Sequence, residues 1–236
     1  RALASKNWAI TGEAAAASGG TRSRAGIGAF ITPDGKGSQR RFEGRLDGAA
    51  PPPDLPFMEG LLDYAIAPAG PADAAALART HIRSWRETYP GILPQAALDR
   101  MSLAGHTQRF RRDLTLALPA HATLLAETGE GLVGYASALR LPDRARGADA
   151  ELATLYVLRA AQGVGVGRAL LIAAARVMKA QGAASLMLFV LSRNAPARRF
   201  YERMGGEAFA EVPSQGWSEG LTETAYRWAD IDVLTG

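Results

Sequence analysis

Cysteine does not occur in this chain of 236 residues. Its absence excludes a disulfide framework, a thiolate metal site and any acyl intermediate carried on a cysteine. Lysine is nearly absent too, occurring only at Lys6, Lys36 and Lys179, so the net charge of +4 rests on arginine. Those arginines are dispersed and form no basic run with interleaved aromatics, which argues against a nucleic-acid surface and leaves a weak preference for an anionic ligand. No stretch of about 18 apolar residues occurs, and no basic-then-apolar leader pattern opens the sequence, so a soluble cytoplasmic protein with no membrane partner is expected. The three histidines, His81, His106 and His121, have no histidine or carboxylate neighbours at ligand spacing, and no metal site is expected.

What is present is an ordinary globular mixture, 47% apolar and 21% charged, sufficient for a substantial core. Residues 1–57 differ in texture. They hold the low-complexity "GEAAAASGG", the turn "ITPDGKGS" and the proline-rich "AAPPPDLP", and they read as an appendage. A strand from Gly26 to Ile31, entering a hairpin at Pro33-Asp34-Gly35, would make part of it ordered. Met58 stands just before the segment that organises cleanly, so the main domain is expected over 58–236.

From Tyr64 onward the elements alternate. A strand at Tyr64 to Ala67 precedes a helix opened by Pro71 and Asp73, with Leu77, His81, Trp85 and Tyr89 on one face. After Pro90-Gly91 a second helical region spans Pro94 to Leu116, with an interruption near Gly105. Strands "ATLLAET" and "LVGYASALRL" form a hairpin about Gly129-Glu130-Gly131. An Arg, Asp and Gly-rich loop at 142–149 leads to the strand "ELATLYVL", a glycine turn, a helix to about Gln181, the strand "SLMLFVL", a helix from Asn194 to Met204, and strands near 207–212 and 222–230. The order β-α-α-β-β-β-α-β-α-β-β predicts an α/β fold with one mixed sheet and helices on its faces.

The glycine turn, "AAQGVGVGRALL" at 160–171, carries Gly163, Gly165 and Gly167 between a strand and a helix. Without side chains, successive backbone N–H groups can converge on a phosphate at the helix N-terminus. A nucleotide P-loop would need Lys and Ser/Thr after the last glycine, where Arg168-Ala169 stands. A dinucleotide fingerprint would need glycine or alanine at 168 and an acidic residue about 20 residues further on, and it finds neither. A tight turn with close helix packing remains the plain alternative.

Val157, then four residues, then Gln162-Gly163-Val164-Gly165-Val166-Gly167, resembles the coenzyme A pyrophosphate loop of the GNAT superfamily of N-acetyltransferases. A second motif, "NAPARRFYERMGG", follows at the spacing of that family, and the helix "ARTHIRSWRETYPGILP" resembles the family's opening. The resemblance covers about residues 63–230. It implies a GNAT-like, largely antiparallel central sheet and direct transfer of an acetyl group from acetyl-coenzyme A to an amine of a small molecule, amino acid or peptide within one ternary complex. It also implies that Leu155, Tyr156, Val157, Gln162, Gly163, Val164, Gly165, Val166, Gly167, Arg168, Asn194 and Ala197 contact the coenzyme. The partners expected are acetyl-coenzyme A and an amine acceptor, with a homodimer left open.

Amine acetylation needs a base, N–H donors for an oxyanion, and an acid for the leaving thiolate. Tyr201 in the second motif is the candidate acid; its alternative is packing, since Ala197, Phe200, Tyr201 and Met204 make an apolar face. Glu151, opening the strand that runs into the glycine turn, is the candidate base; its alternative is a strand-end surface carboxylate. Asn194 could equally serve as a helix N-cap. The acceptor pocket implied by the family draws on Trp85, Tyr89, Trp217 and Glu219, although Trp85 at four-residue helical spacing also fits a core position. A coenzyme A-binding sensor without turnover is the competing reading; a nucleic-acid binder ranks last.

Overall fold

The computed structural model describes residues 62–236 apart from 117, 119, 215–217 and 219. The appendage read at 1–57, with its hairpin at 26–35, lies outside the described residues, as do Trp217 and Glu219.

Strand β1 (Ala65–Pro68) leads through a turn at Pro71–Asp73 into helix α1 (Ala74–Thr88). Pro71 fixes φ at the helix entry, and the Asp73 carboxylate accepts the Gly70 N–H at 2.8 Å. The four-residue spacing delivers a buried face that includes Leu77, His81 and Trp85. Two helices, α2 (Gln95–Asp99) and α3 (Leu103–Leu116), occupy the region expected to break near Gly105. The break falls instead at 100–102, because Ser102 starts a helix: its hydroxyl accepts the Gly105 N–H at 3.2 Å and its carbonyl the His106 N–H at 3.0 Å. Gly105 lies inside α3.

The hairpin β2 (His121–Thr128) and β3 (Gly131–Arg140) is followed by β4 (Ala150–Val157), α4 (Val166–Ala180), β5 (Leu186–Leu191) and α5 (Ala195–Arg203). The chain then forms β6 (Glu207–Pro213) and β7 (Thr222–Trp228), which ends two residues before the expected 230, and a short α6 (Asp232–Thr235) follows. Seven strands make one sheet in the order β1-β2-β3-β4-β5-β7-β6, antiparallel except between β4 and β5. This is the mixed, largely antiparallel α/β arrangement expected.

Side-chain alternation assigns the two faces. Leu124, Ala136, Leu186, Leu188 and Tyr226 point to the side covered by α4 and α5, where Leu170, Leu171 and Met178 are fully buried. Burying each of these three contributes about 1.5–3 kcal/mol. Leu125 and Tyr135 point to the other side, against Leu77, Ala78 and Phe110 of α1 and α3.

One joint in this sheet is incomplete. β4 and β5 pair only at Ala150↔Leu186 and Glu151↔Met187. Immediately afterwards β4 bulges: Ala138 pairs with Leu152 and Ser137 with Thr154, leaving Ala153 as an extra residue. A bulge bends its strand and increases its twist, and from residue 152 onward no strand among the described residues pairs with β4 on its β5 side.

Candidate active site

The gap opened by that bulge widens into a cavity of about 610 Å³ between β4, β5, the glycine turn and α5, closed at one side by the end of α1. Its size suits a cofactor plus a small acceptor.

The turn explains its own glycines. Gly163 and Gly165 hold φ of +80° and +91°, left-handed values at which an L side chain is strained. Gly165 caps α4 with no side-chain hydrogen bond, which leaves the N–H groups of the first turn, beside the cavity, available as anion donors. Gly167 needs no special backbone; it lies on the wall, in ordinary contact range of Phe200. Gln162 closes the turn back on the strand by donating its amide N–H to the Val157 carbonyl at 3.0 Å. Glu87 at the end of α1 accepts the Arg159 N–H at 2.7 Å, and its own carbonyl accepts from the Arg159 guanidinium at 2.6 Å. This clasp between α1 and the turn has no local sequence signature, because its partners are 72 residues apart.

The structure gathers most of the sequence-predicted residues on one wall. Leu155, Tyr156 and Val157 of β4 line the cavity together with Gln162, Gly163, Gly165, Gly167 and Arg168 of the turn, Asn194 and Ala197 at the start of α5, and Tyr89 and Tyr201. Val164 and Val166 do not line it: Val166 is fully buried and Val164 packs against the same core cluster. Asn194 is a helix cap as well as a wall residue, its Oδ1 accepting the Ala197 N–H at 3.3 Å. Thr154 presents a buried hydroxyl that has no partner among the described residues.

Two of the candidates stand off the wall. Trp85 is not a wall residue; it is 5% exposed and packs with Tyr89, Leu93, Leu98 and Leu191 behind the wall, as its helical spacing also allowed. Glu151 is not a surface carboxylate, nor does it line the cavity. It is buried at the vertex of the gap and paired with Arg146 from the 142–147 turn. Burial pushes the Glu151 carboxyl above the usual carboxylate range, Arg146 pulls it back, and the charge of Glu223 adds to the rise. Arg146 and Arg144 both hold left-handed backbone, at φ of +68° and +51°.

Tyr201 stands on the wall at 7% exposure, and burial raises its phenol, with the neighbouring Tyr156 adding to the effect. It is therefore protonated throughout the neutral range. On the wall Tyr89 and Tyr156 share a hydroxyl contact of 3.4 Å, and behind it the Tyr135 hydroxyl meets His81 Nδ1 at 2.6 Å. The residue that sequence reasoning missed is Glu223 of β7, a carboxylate only 3% exposed that lines the cavity. Its strand neighbours on the same face are Ala225 and Arg227, so the local pattern resembles an ordinary polar strand face. Among the described residues no cluster of three or more His, Asp or Glu side chains is placed to hold a metal ion, and no helix is long and apolar enough to cross a membrane.

The comparisons with known proteins agree with this geometry. The chain is 28% identical over 163 residues to the uncharacterized N-acetyltransferase YuaI of Bacillus subtilis, covering 69% of this chain and 91% of that one. It is 32% identical over 157 residues to the mycothiol acetyltransferase of Beutenbergia cavernae, covering 61% of this chain and 52% of that relative. Its fold matches the PaiA N-acetyltransferase of Thermoplasma acidophilum, solved in complex with coenzyme A, with a TM-score of 0.55 at 20% identity over 70% of this chain and 99% of that one. The model of the acetyltransferase (GNAT) family matches residues 81–206, just over half of the sequence, and the chain belongs to that family.

Proposed function

We propose that this protein is an acetyl-coenzyme A-dependent N-acetyltransferase that passes the acetyl group directly to an amine while both substrates are bound. The observation that carries the reading is that one cavity is lined by both the glycine turn and Tyr201. The coenzyme complex of the Thermoplasma acidophilum neighbour supports acetyl-coenzyme A as the donor.

The turn and the N-terminus of α4 would hold the pyrophosphate through backbone N–H groups, with Arg168 adding charge on the same wall. The thioester arm would lie along the unpaired edge of β4, whose main-chain groups beyond Glu151 have no strand partner on that side. An N–H donor there polarises the thioester carbonyl. An alkyl ammonium of pKa about 10.4 must lose a proton before attack, which at pH 7 corresponds to about 4–5 kcal/mol. When the C–S bond breaks, Tyr201 gives its proton to the sulfur. The burial that raises the phenol also raises the proton affinity of a thiolate formed beside it, so the transfer depends on the difference between the two.

The test is thiol release from acetyl-coenzyme A with a panel of amines, comparing the parent protein with Tyr201→Phe. Acceptor-dependent release that falls in kcat by 10²-fold or more, with coenzyme Kd unchanged, is expected. Unchanged turnover removes Tyr201 from the mechanism, and coenzyme binding without any acceptor-dependent release favours a sensor.

A further inference from the structure

Carboxylates are expensive to bury, and the cavity wall holds one at 3% exposure. Glu223 faces Leu191 of β5 and Val212 of β6 in register, so its side chain leaves the sheet on the face where Leu191 packs with Tyr89 and Leu93. Ser214 donates to its Oε1 at 3.2 Å and is itself bonded to Ser218. Among the described residues, the charged and titratable groups that meet this face are Glu151 and Tyr156 of β4, Arg146 bound to Glu151, and Tyr89 after α1. Glu151, the carboxylate that the sequence nominates as base, is held by Arg146 away from the wall, whereas Glu223 is on it.

Resting on the acetyltransferase reading above, we propose that Glu223 is the carboxylate that receives the acceptor's ammonium group and takes its proton, and that it selects primary amines borne on an apolar body. A cation entering a water-poor pocket needs a fixed anion, and Glu223 supplies it within a surround of Leu191, Ile92, Tyr89 and Tyr156. The ammonium gives one proton to a Glu223 oxygen. The freed lone pair forms the C–N bond, the C–S pair leaves on sulfur, and the sulfur takes the Tyr201 proton. The second amine proton, strongly acidic on the N-protonated amide that this collapse leaves, returns Tyr201 to its phenol form, and the Glu223 proton leaves to solvent. One amide, one thiol and one released proton balance the reaction. An acceptor with a carboxylate beside its amine would bring a second anion against Glu223 and Glu151, so free amino acids are disfavoured.

The experiment pairs amines with the amino acids that share their side chains: 2-phenylethylamine with phenylalanine, tryptamine with tryptophan, and isoamylamine with leucine. Each is assayed by thiol release with the parent protein, Glu223→Gln, Glu223→Asp and Glu151→Gln, and coenzyme Kd is measured in parallel. The expected result is turnover of amines above their matched amino acids. Glu223→Gln should cost on the order of 100-fold in kcat/KM for the amine with coenzyme Kd unmoved, and Glu151→Gln should cost less. Because a neutral amine needs no base, the Glu223→Gln deficit should shrink as pH rises toward the amine's own pKa. That is a readout which misfolding alone does not give. If Glu223→Gln proves insoluble, Glu223→Asp carries the test through a raised KM for the amine. Amino acids acetylated better than their amines, a larger loss in Glu151→Gln, a pH-independent deficit, or coenzyme binding with no amine turned over would each overturn the proposal. Failure to bind coenzyme A would instead count against the acetyltransferase reading itself.

Discussion

Replacing Gly167 by alanine should make the free protein more stable and its coenzyme complex weaker. Gly167 lies in the first turn of α4, with no positive φ, and an added Cβ would sit 3.6 Å from the Phe200 ring and 3.8 Å from Val157. These are ordinary contacts, so alanine gains the usual helix preference of roughly 0.5–1 kcal/mol. For a domain of this size that raises Tm by about 1–4 °C. The same methyl projects from the cavity wall at the helix N-terminus, where N–H groups must come close to an anion. Losing one charge-assisted hydrogen bond costs about 1.5–3 kcal/mol, or roughly 10- to 100-fold in Kd. Gly165→Ala is the counterpart: at φ +91° it should cost roughly 1–2 kcal/mol, lowering Tm by about 2–8 °C. Scanning calorimetry with and without coenzyme A, together with titration calorimetry, reads both effects. A parental Kd in Gly167→Ala would place the pyrophosphate elsewhere, and a Tm in Gly165→Ala equal to the parent's would refute the backbone argument.

Three further outcomes are expected. His81 is 1% exposed, and burial, Arg109 and His106 hold it well below the usual histidine pKa, so it is neutral when folded. Stability should therefore fall as pH drops below about 6.5, where the unfolded chain gains the proton first, with a limiting slope near 1.4 kcal/mol per pH unit; thermal melts of His81→Gln between pH 7 and 5 should show a shallower fall, and an unaltered one would refute the assignment. Gly134→Ala should destabilise the fold by roughly 1–3 kcal/mol, because its Cβ would lie 2.8 Å from the Tyr156 carbonyl oxygen; a parental Tm by calorimetry would contradict this. Asn194→Asp keeps an N-cap acceptor for Ala197 but adds a negative charge to the cavity wall, so Tm should hold while coenzyme affinity falls, and equal affinity would leave Asn194 as a cap alone.

Strong local periods made the fold legible. The apolar run of β5, the stripe Leu77-His81-Trp85 and the glycine turn each state their element within a dozen residues. Gly105 suggests a helix break, but the true break lies at 100–102 and the glycine falls inside α3. What could not be read is the gap, because the divergence of β4 from β5 depends on one extra residue at Ala153 measured against a partner strand. For the same reason the wall could be only partly foreseen. The turn and Tyr201 sit in contiguous motifs, whereas Glu223 sits in "TETAYRW", where alternation with Ala225 and Arg227 looks like a solvated face although Glu223 itself is buried. Trp85 shows the converse: the family resemblance implies a pocket role for it, and the helical stripe that buries it is the better guide.

The two-pair joint between β4 and β5 leaves two strand edges facing one another inside a single molecule. Edges elsewhere invite pairing with a second chain, but these are enclosed by α4, α5 and the end of α1, so only something slender can reach them. In the free protein their peptide groups must turn to water. A ligand whose own amides lie along the gap would close the sheet and mechanically join its two halves, one on β1 to β4 and the other on β5 to β7. Those amide protons of 152–157 and 188–191 that point into the gap, and not toward β3 or β7, should then exchange with solvent rapidly in the free protein and slowly once coenzyme is bound, while those paired across β2 and β3 exchange alike in both states.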